Sequence, residues 1–199
     1  MIERILKEIK EDKKDNLSTT SFKFKRDIWE HFQNSKTQTA VEFGTHKGQT
    51  TRILSFLFKK VYTINKNNNE SAKKLNKDKT NIGYLNFNLY SSNKLPINEQ
   101  IDVFLIDAGH EYEHIISDIN RAFSMNCSED CYIIFDDYGC IKHKDIKEVV
   151  DLALSTNKLS LIKEIGHTKG HNFGTGNKGG QDRILHASEG LITKINWIK

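Results

Sequence analysis

Short apolar runs alternating with helical patterns constrain this chain more than any other feature. Thr39–Gly44, Val61–Ile64, Gly83–Leu89, Val103–Ile106 and Tyr132–Phe135 each read as a strand. The last two are apolar throughout, as in strands buried on both faces. Helical periodicity separates or follows these runs over 48–59, the second half of 67–76, 114–123 and 146–154. Such alternation predicts an α/β fold, a doubly wound parallel sheet with helices on both faces. Leu159–Ile165 and Arg183–Ala187 read as two further strands around a glycine-rich loop. Ahead of the first strand, 1–15 carries an apolar stripe of Ile2, Ile5, Leu6 and Ile9. A second helix over 25–34 turns Ile28, Trp29 and Phe32 inward. The expected division is a helical extension over 1–36 and the main domain over 37–199, together one globular unit.

Charge and cysteine usage narrow the function classes. A net charge of +4 is modest, and the lysines are dispersed rather than gathered into a patch, which argues against nucleic acid as a partner. Cys127 and Cys131 lie close together, but no second pair completes a zinc knuckle. Reduced thiols in a cytoplasmic protein are the expectation. The first residues, Met1-Ile2-Glu3-Arg4, lack the apolar run of a signal peptide, and no stretch reads as a membrane span.

In open parallel sheets, ligands bind at the carboxyl ends of the strands, near the point where strand order reverses. The loop after the first strand, Glu42-Phe43-Gly44-Thr45-His46-Lys47-Gly48-Gln49-Thr50, is therefore the candidate cofactor cradle. Gly44 and Gly48 permit a tight turn and close backbone approach. The following helix offers free amide donors, with Thr50 in its first turn. The spacing is E-x-G-x-x-x-G rather than the dinucleotide G-x-G-x-x-G. A carboxylate at Glu42 would repel a pyrophosphate and attract an ammonium. S-adenosylmethionine, whose amino-acid head carries one, is favoured over NAD. Asn65 stands where an acid usually grips the ribose hydroxyls. Its amide can do so without charge, or it caps the next turn; both readings are open. The end of the next strand, near Asn88, is expected to meet the adenine.

Asp107 follows one buried strand directly, and Asp136 and Asp137 follow another. If the two strands are neighbours, three carboxylates converge at one rim. Unpaired, they would repel each other and raise their pKa values. A hard divalent cation, Mg²⁺ or Mn²⁺, relieves that repulsion. His110 lies three residues after Asp107, beside such an ion, and its imidazole suits proton abstraction from a hydroxyl. A capping role for His110 is the alternative. His114 is expected on the helix surface. His143, between Lys142 and Lys144, is expected to face solvent, where it could reach an acceptor.

Glu42–Thr50, Ile106-Asp107-Ala108-Gly109-His110-Glu111-Tyr112 and Ile134-Phe135-Asp136-Asp137-Tyr138 together resemble the class I S-adenosylmethionine-dependent methyltransferases. The resemblance spans about residues 38–150 and, more narrowly, is to the metal-dependent macrolide-sugar and catechol O-methyltransferases. It implies a seven-stranded sheet with the last strand antiparallel, and metal-assisted methylation of a hydroxyl. By position it makes Asp107, Asp136 and Asp137 metal ligands and His110 the general base. Catechol enzymes carry lysine at the base position, so the histidine favours a sugar hydroxyl over a phenol. Asn65 and Ala108 depart from the family pattern. An inactive methyltransferase-like binding module and an NAD-linked oxidoreductase are the competing readings.

The segment Gly166–Gly180 is dense in glycine. As a lid it would bring His167, Lys169, His171 and Phe173 to a small-molecule or glycan acceptor. As a plain surface loop it would bring nothing. The 1–36 segment would cover the cofactor, mediate a homodimer or simply pack on the core.

Overall fold

A computed structural model describes residues 1–9, 20–34, 38–173 and 184–197. Two helices come first, α1 (Ile2–Glu8) and α2 (Phe22–Phe32), then β1 (Thr39–Phe43), α3 (Gln49–Leu57) and β2 (Lys60–Asn65). They are followed by α4 (Glu70–Leu75), β3 (Ile82–Asn86), β4 (Ile101–Ile106), α5 (Tyr112–Phe123) and β5 (Cys127–Phe135). A 3₁₀ turn, Ile141–His143, leads into α6 (Lys144–Ser155), β6 (Leu159–Ile165) and β7 (Gly190–Ile195). The seven strands form one sheet in the order β3-β2-β1-β4-β5-β7-β6. All neighbouring pairs are parallel except the two made by β7.

The alternation of side chains along β4 shows how the layers are built. Phe104 and Ile106 join Ile115 and Ile119 of α5 and Val149 and Val150 of α6 in one core. Val103 and Leu105 face the other way, against Phe24, Ile28 and Phe32 of α2 and Leu54 of α3. The sheet is therefore covered on both sides, as its apolar strands require. Ile5, Leu6 and Ile9 pack with Trp29 and Ile53 in a smaller cluster outside α2 and α3.

Local chemistry fixes the ends of α2. The Ser21 side chain accepts from Phe24 N at 3.0 Å and caps the helix. Glu189, beside β7, in turn accepts from Ser21 N at 2.9 Å and Ser21 Oγ at 2.7 Å. Asp27 accepts from Gly166 N at 2.7 Å at the end of β6. The helix is thus tied to the carboxyl end of β6 and the start of β7.

Three expectations need correction. The last strand is Gly190–Ile195, not Arg183–Ala187; Ile184 and Leu185 make only isolated bridges, to Asn172 and Cys140. Leu191, Ile192 and Ile195 are buried, so this later run supplies the core contacts of an inserted antiparallel strand. β3 ends at Asn86 rather than Leu89, which frees Phe87–Tyr90 to leave the sheet. α2 starts at Phe22, earlier than the apolar spacing suggested, because its cap depends on the distant Glu189. Part of the expected 1–15 helix and of the glycine-rich loop lies outside the described residues. Among those described, no helix is long and apolar enough to cross a membrane.

Candidate active site

Strand order reverses between β1 and β4, so the loops after them enclose a crevice. Gly44 sits there at φ +99°, and a Cβ on it would stand 1.9 Å from the Asp107 carbonyl oxygen. Only glycine lets the two strand ends approach so closely. Gly48, at φ +76°, caps α3 against Ala72 and Asn76 of the α4 region. Between these loops and the end of β3 lies a cleft of about 610 Å³, within the range of ligand sites. Asn65, Asn88, Gly44, Asp107 and His110 line it, joined by His46, Lys66, Tyr90 and His114. His114 stacks on Tyr90 with centroids 3.8 Å apart, so it borders the cleft as well as solvent.

Glu42 lies deep at the end of β1. It is 1% exposed, and its Oε2 accepts from Thr51 Oγ1 and Thr63 Oγ1, both at 2.5 Å. Burial pushes its carboxyl up to about 7 despite these bonds. With Gly44, Thr45, Gly48, Thr50 and Asp107 it lines a small cavity next to the cleft. Gly44 and Asp107 border both spaces, whereas Glu42, Thr45, Gly48 and Thr50 line the small cavity behind the strand end.

Lys25 is the residue that sequence reasoning missed. It is fully buried on α2, with Nζ donating to the Thr20 carbonyl and to Thr20 Oγ1. Thr20 Oγ1 lies 3.0 Å from Thr50 Oγ1. Desolvation lowers the Lys25 ammonium to about 8, opposed by the fields of Asp136, Asp107, Glu189 and Glu42. A buried cation is thus set near the buried carboxylates. A lysine on a helix ordinarily reads as solvated, so no sequence signal marked it.

The carboxylates themselves converge. One oxygen from each of Asp107, Asp136 and Asp137 falls in a group whose members all lie within 4.8 Å of one another. β4 and β5 pair directly, with Ile106 opposite Phe135, which brings the acids that follow to the same rim. Burial first, then the Asp137 charge, pushes Asp107 up to about 8. The same causes hold Asp136 well above the usual carboxylate range. Asp136 Oδ1 is buried with no hydrogen-bond partner. Asp137 adopts φ +56°, a conformation that costs a non-glycine residue about 1 kcal/mol or more.

His110 Nε2 stands 3.3 Å from Asp137 Oδ2, and this contact raises the imidazole pKa. His143 does not face solvent freely, as its lysine neighbours suggested. Its ring stacks on His110 at 3.9 Å, with Nε2 3.8 Å from the same Asp137 oxygen and its side chain 19% exposed. The 3₁₀ turn before α6 folds it back over the rim. His167 and His171 stack at 3.6 Å with Phe173 edge-on to both. This separate cluster, like Lys169, does not line the cleft.

Comparison with known proteins agrees with this geometry. Residues 41–138 match the family model described as a methyltransferase domain. No curated protein matches the chain by sequence. Among solved structures, the N-methyltransferase NodS of Bradyrhizobium japonicum, in complex with S-adenosyl-L-homocysteine, aligns with a TM-score of 0.64 at 12% identity over 98% of both chains. The tRNA (m1A58) methyltransferase of Aquifex aeolicus gives 0.64 at 15% identity, over 100% of this chain and 77% of that one. A SAM-dependent O-methyltransferase of Thermotoga maritima gives 0.60 at 10% identity, over 88% and 65%. At such identities the likeness speaks for the fold, and the family match speaks for the segment that holds the strand-end glycines and acids. Residues 41–138, just under half of the chain, are thus similar to the methyltransferase-domain family, on a seven-stranded sheet of the class I methyltransferase type.

Proposed function

We propose that the chain transfers the methyl group of S-adenosylmethionine to a hydroxyl, assisted by Mg²⁺ or Mn²⁺, and that the acceptor is a sugar hydroxyl of a glycan or glycoside. The observation that carries this reading is the orphaned Asp136 Oδ1, buried beside two further carboxylates. A carboxylate oxygen without a donor is costly in a protein interior. An all-oxygen set of this kind suits a hard divalent cation.

Asp107, Asp136 and Asp137 would hold the cation. When bound, it lowers the pKa of an acceptor hydroxyl and fixes its oxygen. S-adenosylmethionine supplies the activated methyl. The wall from Gly44 to Asn65 and Asn88 would receive its nucleoside, and the Glu42–Thr50 loop its amino-acid head.

His110 then acts as the base, since it borders both the cleft and the rim. Asp137 orients its ring and favours the imidazolium that forms when it takes the hydroxyl proton. Lys25 and the Glu42 threonine network keep the floor of the site fixed. Catalysis on this account is mainly positioning and charge stabilisation. Histidine rather than lysine at the base position favours a sugar over a catechol.

The test is methyl transfer from labelled S-adenosylmethionine to a panel of glycosides and catechols, with chelator or with added Mg²⁺. Glycoside methylation that chelator removes and Mg²⁺ restores is the expected result. Transfer to catechols alone would replace the acceptor class, and chelator-insensitive transfer would remove the metal.

A further inference from the structure

Two histidines share one oxygen of Asp137, which gives that carboxylate a second set of partners. We propose that His110, His143 and Asp137 form a mixed nitrogen–oxygen site for a single transition-metal ion of borderline softness, Co²⁺, Ni²⁺ or Zn²⁺, next to the all-oxygen aspartate pocket. The proposal is independent of the acceptor and of methyl transfer.

The ligand atoms of the three residues all lie within 4.8 Å of one another. The two nitrogen–oxygen separations are 3.3 Å and 3.8 Å. A four-coordinate ion with bonds of about 2.0–2.1 Å holds its ligand atoms roughly 3.3 Å apart, so little closure is needed. Separate backbone anchors deliver the three side chains: the loop after β4, the end of β5 and the 3₁₀ turn before α6. None is more than a third exposed. His110 borders the cleft, which gives an ion and its waters a way in.

One adjustment is required. The two rings are stacked with their planes 23° apart, and both planes cannot then contain one shared ion. Capture therefore turns one imidazole about its side-chain torsions and breaks the stack.

Ligand chemistry separates this site from its neighbour. Imidazole nitrogen favours Co²⁺, Ni²⁺ and Zn²⁺, whereas carboxylates with waters favour Mg²⁺ and Mn²⁺. Asp137 serves both sets, so the two kinds of ion compete for it. A transition ion here also engages the His110 lone pair, leaving no base. Micromolar Zn²⁺ or Co²⁺ would then inhibit an enzyme that Mg²⁺ supports.

The experiment is Co²⁺ titration of the whole chain, followed by the ion's visible absorption, with neither cofactor nor acceptor present. Loss of even an outer partner of a metal ligand costs about 10–100-fold in affinity, so H143A should weaken Co²⁺ binding about tenfold or more. H143Q should do the same, with circular dichroism confirming the fold of each variant. D107N, which alters only the oxygen pocket, should leave Co²⁺ binding within about threefold while abolishing Mg²⁺ binding, as expected if only the second ion uses Asp107. Unchanged Co²⁺ affinity in both folded His143 variants would overturn the proposal. So would loss of Co²⁺ binding in D107N, which would indicate one oxygen site, and so would the absence of nitrogen-ligated Co²⁺ absorption in the parent chain.

Discussion

Glu42→Gln isolates the energetic cost of burying a carboxylate behind the cofactor loop. The Glu42 carboxyl stands at about 7 in the fold, against 4.5 for the ordinary residue. At about 1.4 kcal/mol per pH unit, the folded state loses up to about 3 kcal/mol as pH rises from 4.5 through 7. The sign follows from linkage: a carboxyl raised on folding binds its proton more tightly in the native state, so stability is retained at low pH and lost as the proton leaves. The amide of the Glu42→Gln variant would keep an oxygen to accept from Thr51 and Thr63 and would carry no charge. Its stability advantage over the parent should therefore grow from about 1 kcal/mol at pH 5 to about 3 kcal/mol at pH 7.5. For a chain of this size that increase corresponds to about 4–8 °C in Tm. Any packing penalty of the amide is the same at both pH values and cancels in the difference. Urea unfolding of metal-free protein at the two pH values measures it. A stability difference that does not change with pH would refute the reasoning.

Other perturbations address the rest of the site. Gly44→Ala forces a Cβ against the Asp107 carbonyl at positive φ, and should cost about 3 kcal/mol or more in urea unfolding. Asp136→Asn removes a charge that burial and Asp137 penalise; it should raise the Tm of metal-free protein and abolish the further rise that Mg²⁺ gives the parent. His110→Ala should lower kcat by about 10²–10⁴-fold with little change in cofactor affinity, measured by steady-state kinetics and calorimetry. In metal-free protein the Asp137 contact raises the His110 pKa, so NMR titration of that imidazole should place it above the ordinary histidine range, and the Asp137→Asn variant should bring it down.

Much of the fold could be read from apolar runs, because a strand buried on both faces has little freedom to be polar. Val103–Ile106 and Tyr132–Phe135 located β4 and β5, and their following acids located the rim. The class I resemblance was carried by Glu42–Thr50, Ile106–Tyr112 and Ile134–Tyr138 together, and Gly44 in the first adopts a positive φ that disfavours side chains. What remained hidden depends on contacts between distant parts of the chain. Lys25 is buried only because α2 is pinned by Glu189 and Gly166, far along the sequence. His143 looked solvated beside two lysines, yet a 3₁₀ turn places it on His110. The final strand was misplaced because Arg183–Ala187 and Gly190–Ile195 carry similar local patterns, and only pairing with β5 distinguishes them. The threonine network on Glu42 was hidden too, since Thr51 and Thr63 meet one of its oxygens only once β2 and α3 pack beside β1.

Calorimetric titration of the chain with S-adenosylhomocysteine, with and without Mg²⁺, tests the central claim most directly, because it needs no acceptor. The account predicts micromolar binding in parent protein and its loss in the Gly44→Ala variant. Well-folded protein that binds none at millimolar ligand would contradict the assignment of this cleft to the methyl donor.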